Sequence, residues 1–447
     1  MKEDKSVAVL RAAKQAEETE RWSWVEPSVW TPRMLAALEK RVKGGKWFSL
    51  IDKVYSMANL KAATQKVIAN KGAAGVDHIS VGQFAKRQEE ELLKLQETLK
   101  GHKYAPQAIR RVHIPKPGKK ETRPLGIPTI RDRIVQGAVR QVIEPIFEKE
   151  FIEHSYGFRP KRGCKDALRQ VWKLLKEGYS YVVDADIKSY FDTIDHERLM
   201  ELMEEHVSDG RVLQLIRQFL KQGVLDNLKY WTPERGTPQG GVISPLLANV
   251  YLDPLDKELT QSGFQIVRYA DDLVILCKTG TEAQQALELM SRWTAEAKLT
   301  LHPEKTHIVD MNIPENYFEF LGYKFEHSAK AGQLKRWPKR QSEQRLRDRI
   351  RPLTRRCHGH SMTHIIAQLT PILRGWFEYY KHSSPHGLSW VDGWVRMRLR
   401  SILRKRLHKK GRGRGSDHQR WPNAYFSAAG LFSLSEAHAA ARQSARG

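Results

Sequence analysis

Cysteine is scarce: Cys164, Cys277 and Cys357 are the only three in 447 residues, and they lie far apart. No disulfide framework and no CxxC zinc pair can be drawn from them, so the chain reads as a reduced cytosolic protein with free thiols. Long apolar runs are missing too, because charges break every greasy stretch before it could span a bilayer. The first residues, MKEDKSVAVLRAAKQAEETERW, lack the apolar core and cleavage site of a signal peptide. Acidic residues are outnumbered, 51 Asp and Glu against 76 Lys and Arg, for a formal charge of +25. Such self-repulsion points to a polyanionic partner. With no membrane segment, nucleic acid fits better than an acidic membrane surface.

The charge is uneven. From Lys330 to Arg420 there are 24 Lys or Arg against five acidic residues, interleaved with Trp337, Trp376, Phe377, Tyr379, Tyr380, Trp390, Trp394 and Trp421. Basic side chains among aromatics suit phosphates among stacking bases, although many of these rings must be core. The length allows two or three domains with a sizeable core.

Residues 1 to about 45 read as polar helix, and 46–100 as helices around the turn NKGAAGVD. Leu92, Leu93, Leu95 and Leu99 fit one face of a helix. IRRVHIPKPGKKETRPLGIP, 109–128, predicts a strand, a basic turn and a second strand. HSYGFRPKRGC is a loop opening a helix near Cys164, and GTPQGG turns into a helix. KKGRGRGSD, 409–417, has the composition of a flexible linker. His360 and His364 near Cys357 and His358 do not make a zinc site, given one cysteine and irregular spacing.

RYADDLVIL, 268–276, sets two aspartates between apolar runs. Charges sit there only when paired or bound to a metal; the plain alternative is a tight turn capped by Asp. Asp186 follows another short strand, after Tyr181, Val182 and Val183. If the strands are neighbours, three carboxylates converge. Hard oxygen ligands suit Mg²⁺, and two such ions about 4 Å apart serve in-line displacement at phosphorus.

In this order, HSYGFRPKRGC, DADIKSYFDTIDH, RGTPQGGVISPLLANVYLD and YADD resemble a reverse transcriptase. More narrowly, the chain resembles the reverse transcriptases/maturases of bacterial group II introns, over roughly residues 50–447. The resemblance implies an α+β right-hand polymerase, with fingers and an antiparallel-sheet palm followed by an α-helical thumb. It assigns 1–45 to an N-terminal extension, 46–330 to fingers and palm, 331–410 to the thumb or maturase domain, and 411–447 to a basic DNA-binding tail. It makes Asp186, Asp271 and Asp272 ligands of two Mg²⁺ ions, with Mn²⁺ as a substitute, assisted by the Ile187 carbonyl. Phe191 takes the place of the side chain that excludes a ribose 2′-hydroxyl. Lys116 and Arg123 on the basic hairpin suit triphosphate oxygens, with Lys119 or Lys120 able to replace Lys116; a solvated basic turn is the plain alternative. Arg159 in GFRP is placed to reach the nucleotide, and Gln239 and Gly240 pack under nucleotide and template. Lys305 is a general acid for pyrophosphate or a phosphate contact, and FEFLGYKF resembles the primer-grip hairpin.

The resemblance further implies dNTPs, target DNA and the intron's own RNA as partners, in a bacterial cytoplasm with nucleoid association during mobility. RNA binding falls to about 335–410, which includes LRGWFEYYK, with the N-terminal fingers. The sequence stops at Gly447, where relatives with an endonuclease carry a further His/Asn domain, so second-strand cutting is not expected. Two other readings stay open: a splicing cofactor with an idle polymerase, and a reverse transcriptase recruited to phage defence or another host system.

Overall fold

A computed structural model of the protein describes residues 20–42, 44–115, 122–227, 229–327, 333–357 and 359–444. Lys116, Lys119 and Lys120 lie outside the described residues. The chain forms two compact units. Of the described residues, the first holds those within 1–171, 183–277 and 281–307, and the second those within 172–182, 278–280 and 308–447. No described helix is long and apolar enough to cross a membrane.

Helix Ile130–Glu150 (α2) is the axis of the first unit. Ile134, Val135, Ala138, Val139, Val142 and Ile143 on it are fully shielded, which a helix packed on most sides requires. Thr129 starts it by accepting the Asp132 N–H at 3.2 Å, as an N-cap hydroxyl does. The helix Met57–Ala69 (α1) packs beside it, and Asn59 donates to the Ala138 carbonyl at 3.1 Å. Gln136 reaches out of α2 to accept the Val242 N–H at 2.7 Å. The PQGG loop is thereby tied to the core.

Two four-stranded sheets are formed. Strands β1 (Ile109–Pro115) and β2 (Thr122–Ile127) form the expected hairpin. β1 also pairs in parallel with β4 (Val224–Asp226), and β5 (Lys229–Trp231) completes the order β2-β1-β4-β5. The other sheet has the order β6-β7-β3-β8, from Gln265–Tyr269, Asp272–Cys277, Tyr181–Asp186 and His307–Asp310. β7 has a neighbour on each side, and Leu273 to Cys277 are all buried, so the apolar run after the two aspartates is a covered central strand.

In the second unit, β9 (Tyr317–Phe320), β10 (Tyr323–His327) and β11 (Leu334–Pro338) make an antiparallel meander. Tyr323 pairs with Phe320, leaving Leu321 and Gly322 as a two-residue turn with φ of 46° and 82°. Positive φ at both places is the geometry a tight hairpin favours, and glycine supplies one of them without strain.

Four helices follow: α4 (Arg340–Leu353), α5 (Met362–Tyr380), α6 (Pro385–Arg406) and, after two short ones, α7 (Leu434–Ser444); α3 denotes Ser244–Gln261 of the first unit. Their shared core includes Ile350, Ile365, Leu369, Leu388, Val395 and Leu399, and it also takes in Trp421, Phe426 and Leu434. The described part of 411–447 is therefore packed structure, and the segment 409–417 differs from the flexible linker its composition suggests. Arg404 pairs with Asp417 and donates to the Lys410 carbonyl at 2.8 Å, and Arg400 donates to the Trp421 carbonyl at 2.9 Å. Asp392 on α6 accepts the Leu434 and Ser435 N–H groups, each at 2.9 Å, and so caps α7. Phe426→Ala is expected to cost about 3–5 kcal/mol, the range for deleting a buried ring. Urea unfolding followed by fluorescence measures it; a loss under about 0.5 kcal/mol, the scale of surface substitutions, would mean the tail is not part of this core.

Candidate functional site

Tyr269 pairs with Asp272, which leaves Ala270 and Asp271 as the two-residue turn between β6 and β7. Ala270 has φ +60°, an unusual value for a residue with a Cβ. The turn is held from beneath. Arg268, 1% exposed, donates through Nη1 to the Ala270 carbonyl and to Asn249 Oδ1, both at 2.9 Å. Its Nε and Nη2 engage the carboxylate of Asp256 on α3, which is 0% exposed. Burial opposes the Arg268 charge, but the Asp256 carboxylate outweighs it and pushes the guanidinium's pKa up. Asn249 in turn donates to the Gly157 carbonyl at 2.8 Å. Gly157 lies so close that a Cβ there would sit 2.1 Å from the Ala270 nitrogen. The HSYG loop thus seats the YADD turn, and its glycine is required by that approach.

Asp186 ends β3, and its carbonyl accepts the His302 N–H at 2.8 Å. Its carboxylate pairs with the Lys305 ammonium. Burial first, and the Asp186 charge after it, push the Asp271 carboxyl up, against the pull of its own backbone N–H, Arg123 and Arg268. A half-buried carboxylate raised by desolvation and a neighbouring carboxylate fits a cation, whose charge would reverse that push. Asp272 opens β7 and is exposed. Among the described residues no three His, Cys, Asp or Glu side chains are grouped as metal donors. Asp186 thus ends β3, Asp271 sits in the turn before the adjacent β7, and Asp272 is the first residue of β7, while Lys305 pairs with Asp186.

Around this pair, Ile187 is buried and bridges to Leu301. Phe191 stands edge-on to Phe158, ring centroids 6.4 Å apart. Arg123 donates from Nε to Gln239 Oε1 at 3.0 Å, and Gln239 Nε2 donates to Asp192 at 3.4 Å. Gly240 has φ +118°, and a Cβ there would lie 2.2 Å from the Gly126 carbonyl oxygen. Gln239 also borders a cleft of about 520 Å³ with Arg111 and Trp231, whose guanidinium and ring lie 5.0 Å apart.

Arg159 corrects an expectation. Its side chain is 2% exposed and forks onto Glu148 at 2.8 and 2.9 Å, with Nη1 on the Ile152 and Ser155 carbonyls. Every arm of the guanidinium is used inside the fold, so it does not reach for a nucleotide.

The reverse transcriptase (RNA-dependent DNA polymerase) family matches residues 114–325, and the group II intron maturase-specific domain matches 343–421. Protein YkfC of Escherichia coli (strain K12) is 36% identical over 307 residues, covering 59% of this chain and 79% of that protein. The chain belongs to the group II intron-encoded reverse transcriptase/maturase family. The group II intron-encoded protein LtrA of Lactococcus lactis subsp. cremoris is 44% identical over 214 residues, 47% of this chain. That match spans 35% of LtrA, about a third of its length. Among solved structures, a partial Cas6-RT-Cas1--Cas2 complex covers 56% of this chain and 41% of its own at 26% identity, with a TM-score of 0.36.

In this reverse transcriptase/maturase family member, Arg268, Asp256 and Asn249 are the residues that sequence reading passed over. The signal was a lone arginine inside an apolar strand, beside the aspartates that drew attention instead. Arg268→Ala strands the Asp256 charge and is expected to cost about 3–5 kcal/mol in urea unfolding. The double variant Arg268→Met/Asp256→Leu removes both charges and is expected to recover most of that loss; recovery would separate stability from the hold on the turn.

Proposed function

We propose that the protein is an RNA-directed DNA polymerase that copies intron RNA into cDNA, and a maturase that binds the intron RNA to promote splicing and mobility. The observation that carries the polymerase reading is the placing of Asp186 at the end of β3 and of Asp271 in the turn that opens the adjacent strand β7, in a chain of this family. Fingers and palm correspond to about 46–330, the thumb to about 331–410, and the DNA-binding region to the residues beyond.

Two divalent cations, Mg²⁺ or Mn²⁺, held by Asp186 and Asp271 with Asp272 and the Ile187 carbonyl beside them, would neutralise the triphosphate and activate the primer hydroxyl. Arg123, its fork aligned by Gln239, contacts the triphosphate, joined by Lys116 from the hairpin. Phe191, backed by the Phe158 ring, excludes a 2′-hydroxyl by volume. Gly240 lets the backbone pass under the nucleotide. Lys305 exchanges Asp186 for the leaving phosphate or gives it a proton. The β9–β10 hairpin grips the primer. The surplus positive charge binds intron RNA and target DNA through phosphates.

Primer extension on an RNA template with dNTPs and Mg²⁺ tests the reading. Asp271→Asn/Asp272→Asn is expected to lose at least tenfold in rate, about 1.4 kcal/mol of transition-state stabilisation. Absence of cDNA from the wild type on every template would make the splicing cofactor the leading account.

A further inference from the structure

In the second unit, α4 and α5 enclose a groove of about 450 Å³. Arg345 and Arg349, one turn apart on α4, border it, and Pro371, Ile372, Gly375 and Trp376 of α5 form its other side. Both arginines are exposed. Among the described residues neither guanidinium makes a hydrogen bond or ion pair, whereas Arg347 between them pairs with Glu343 at 3.5 Å and covers Trp390 at 4.1 Å. Arg347 is thus committed to the fold, and its two neighbours are left unspent. On the facing helix, a Cβ at Gly375 would meet nothing within 4 Å, so the groove stays open there. The Trp376 indole N–H, shut from solvent, has no acceptor in the protein.

These features suit one chemistry. A groove of this volume holds a nucleotide-sized group. Proline, isoleucine and glycine make an apolar floor for a flat ring, and two guanidiniums make a fork for a phosphate. Unpaired bases of RNA are recognised by this kind of splaying onto protein, whereas a fully paired duplex keeps its bases stacked away from such a groove. We propose that the α4–α5 groove holds one unstacked nucleotide of a single-stranded RNA segment, its base on the Pro371–Gly375 floor and its phosphate on Arg345 and Arg349. The assignment rests on RNA binding by this helical unit and goes further in naming the place and the state of the nucleotide.

Binding of the full chain to three probes tests it: a short unstructured RNA, DNA of the same sequence, and the fully paired RNA duplex, each over a salt series. Arg345→Ala/Arg349→Ala is expected to weaken binding of the single strand about tenfold and to reduce its salt slope by roughly 0.7 for each phosphate no longer neutralised. Gly375→Leu fills the groove without changing charge, and the open space at that position lets the helix keep its fold. It is expected to weaken the single strand about tenfold with the salt slope unchanged, and to leave duplex binding within about twofold. An equal loss on single-stranded DNA would place recognition in base and phosphate, and a loss confined to RNA would add the 2′-hydroxyl; both support the groove. Wild-type affinity of Gly375→Leu for the single-stranded RNA, an equal loss on the duplex, or a loss confined to DNA would overturn it. If the wild type binds RNA and the variants bind it as well, the groove assignment alone fails. If the wild type binds none of the probes, RNA binding by this chain fails with it.

Discussion

Arg268 and Asp256 form an ion pair that water does not reach, and the candidate polymerase site hangs from it. Taking both charges out of water is costly, and a well-packed apolar pair could give equal or better stability. What the ion pair adds is direction. Once Asp256 holds one side of the planar guanidinium, the remaining N–H is aimed at the Ala270 carbonyl, and the turn that carries Asp271 is fixed. Asn249 shares the same arginine and ties in Gly157, so the HSYG loop and the helix Ser244–Gln261 both converge on that turn. The three motifs that looked separate along the chain are parts of one support. Its rigidity keeps Asp271 beside Asp186, whose charge disfavours ionisation of the Asp271 carboxyl.

A similar economy governs the basic second unit. Part of its positive charge is internal. Arg398 reaches the Thr354 hydroxyl at 2.6 Å and carbonyl at 3.0 Å, Arg400 the Trp421 carbonyl at 2.9 Å, and Arg404 pairs with Asp417. Phe377, Tyr380 and Trp421 are core, so the aromatic interleaving is partly a packing pattern. The charge left for nucleic acid is therefore smaller and more localised than the residue count implies. Long guanidinium side chains serve here as hydrogen-bonding struts, satisfying carbonyls that a short basic loop cannot pair with its own backbone.

Much of the fold was legible from local rules. The β1–β2 hairpin, the helix from Cys164 and the paired strands around YADD all follow from period and turn chemistry. Candidate carboxylates were legible because charge in an apolar setting asks for a reason. What escaped depends on direction and distance. Arg159 beside the loop reads the same whether its fork points inward or outward, and only the fold shows Glu148 waiting for it. The Gly and Arg content of 409–417 reads as linker, since nothing local reveals that Asp417 meets Arg404 or that Asp392 caps a helix 42 residues on.

A cation site made by Asp186 and Asp271, supported by the buried pair, is the central claim. Mn²⁺ binding followed by electron paramagnetic resonance, with primer–template and dNTP present, reads that site without requiring turnover. Bound Mn²⁺ is expected in the wild type, with at least tenfold weaker binding in Asp271→Asn. Equal Mn²⁺ affinity in the two proteins would contradict the claim, because the turn that the rest of the first unit holds in place would then have no cation to serve.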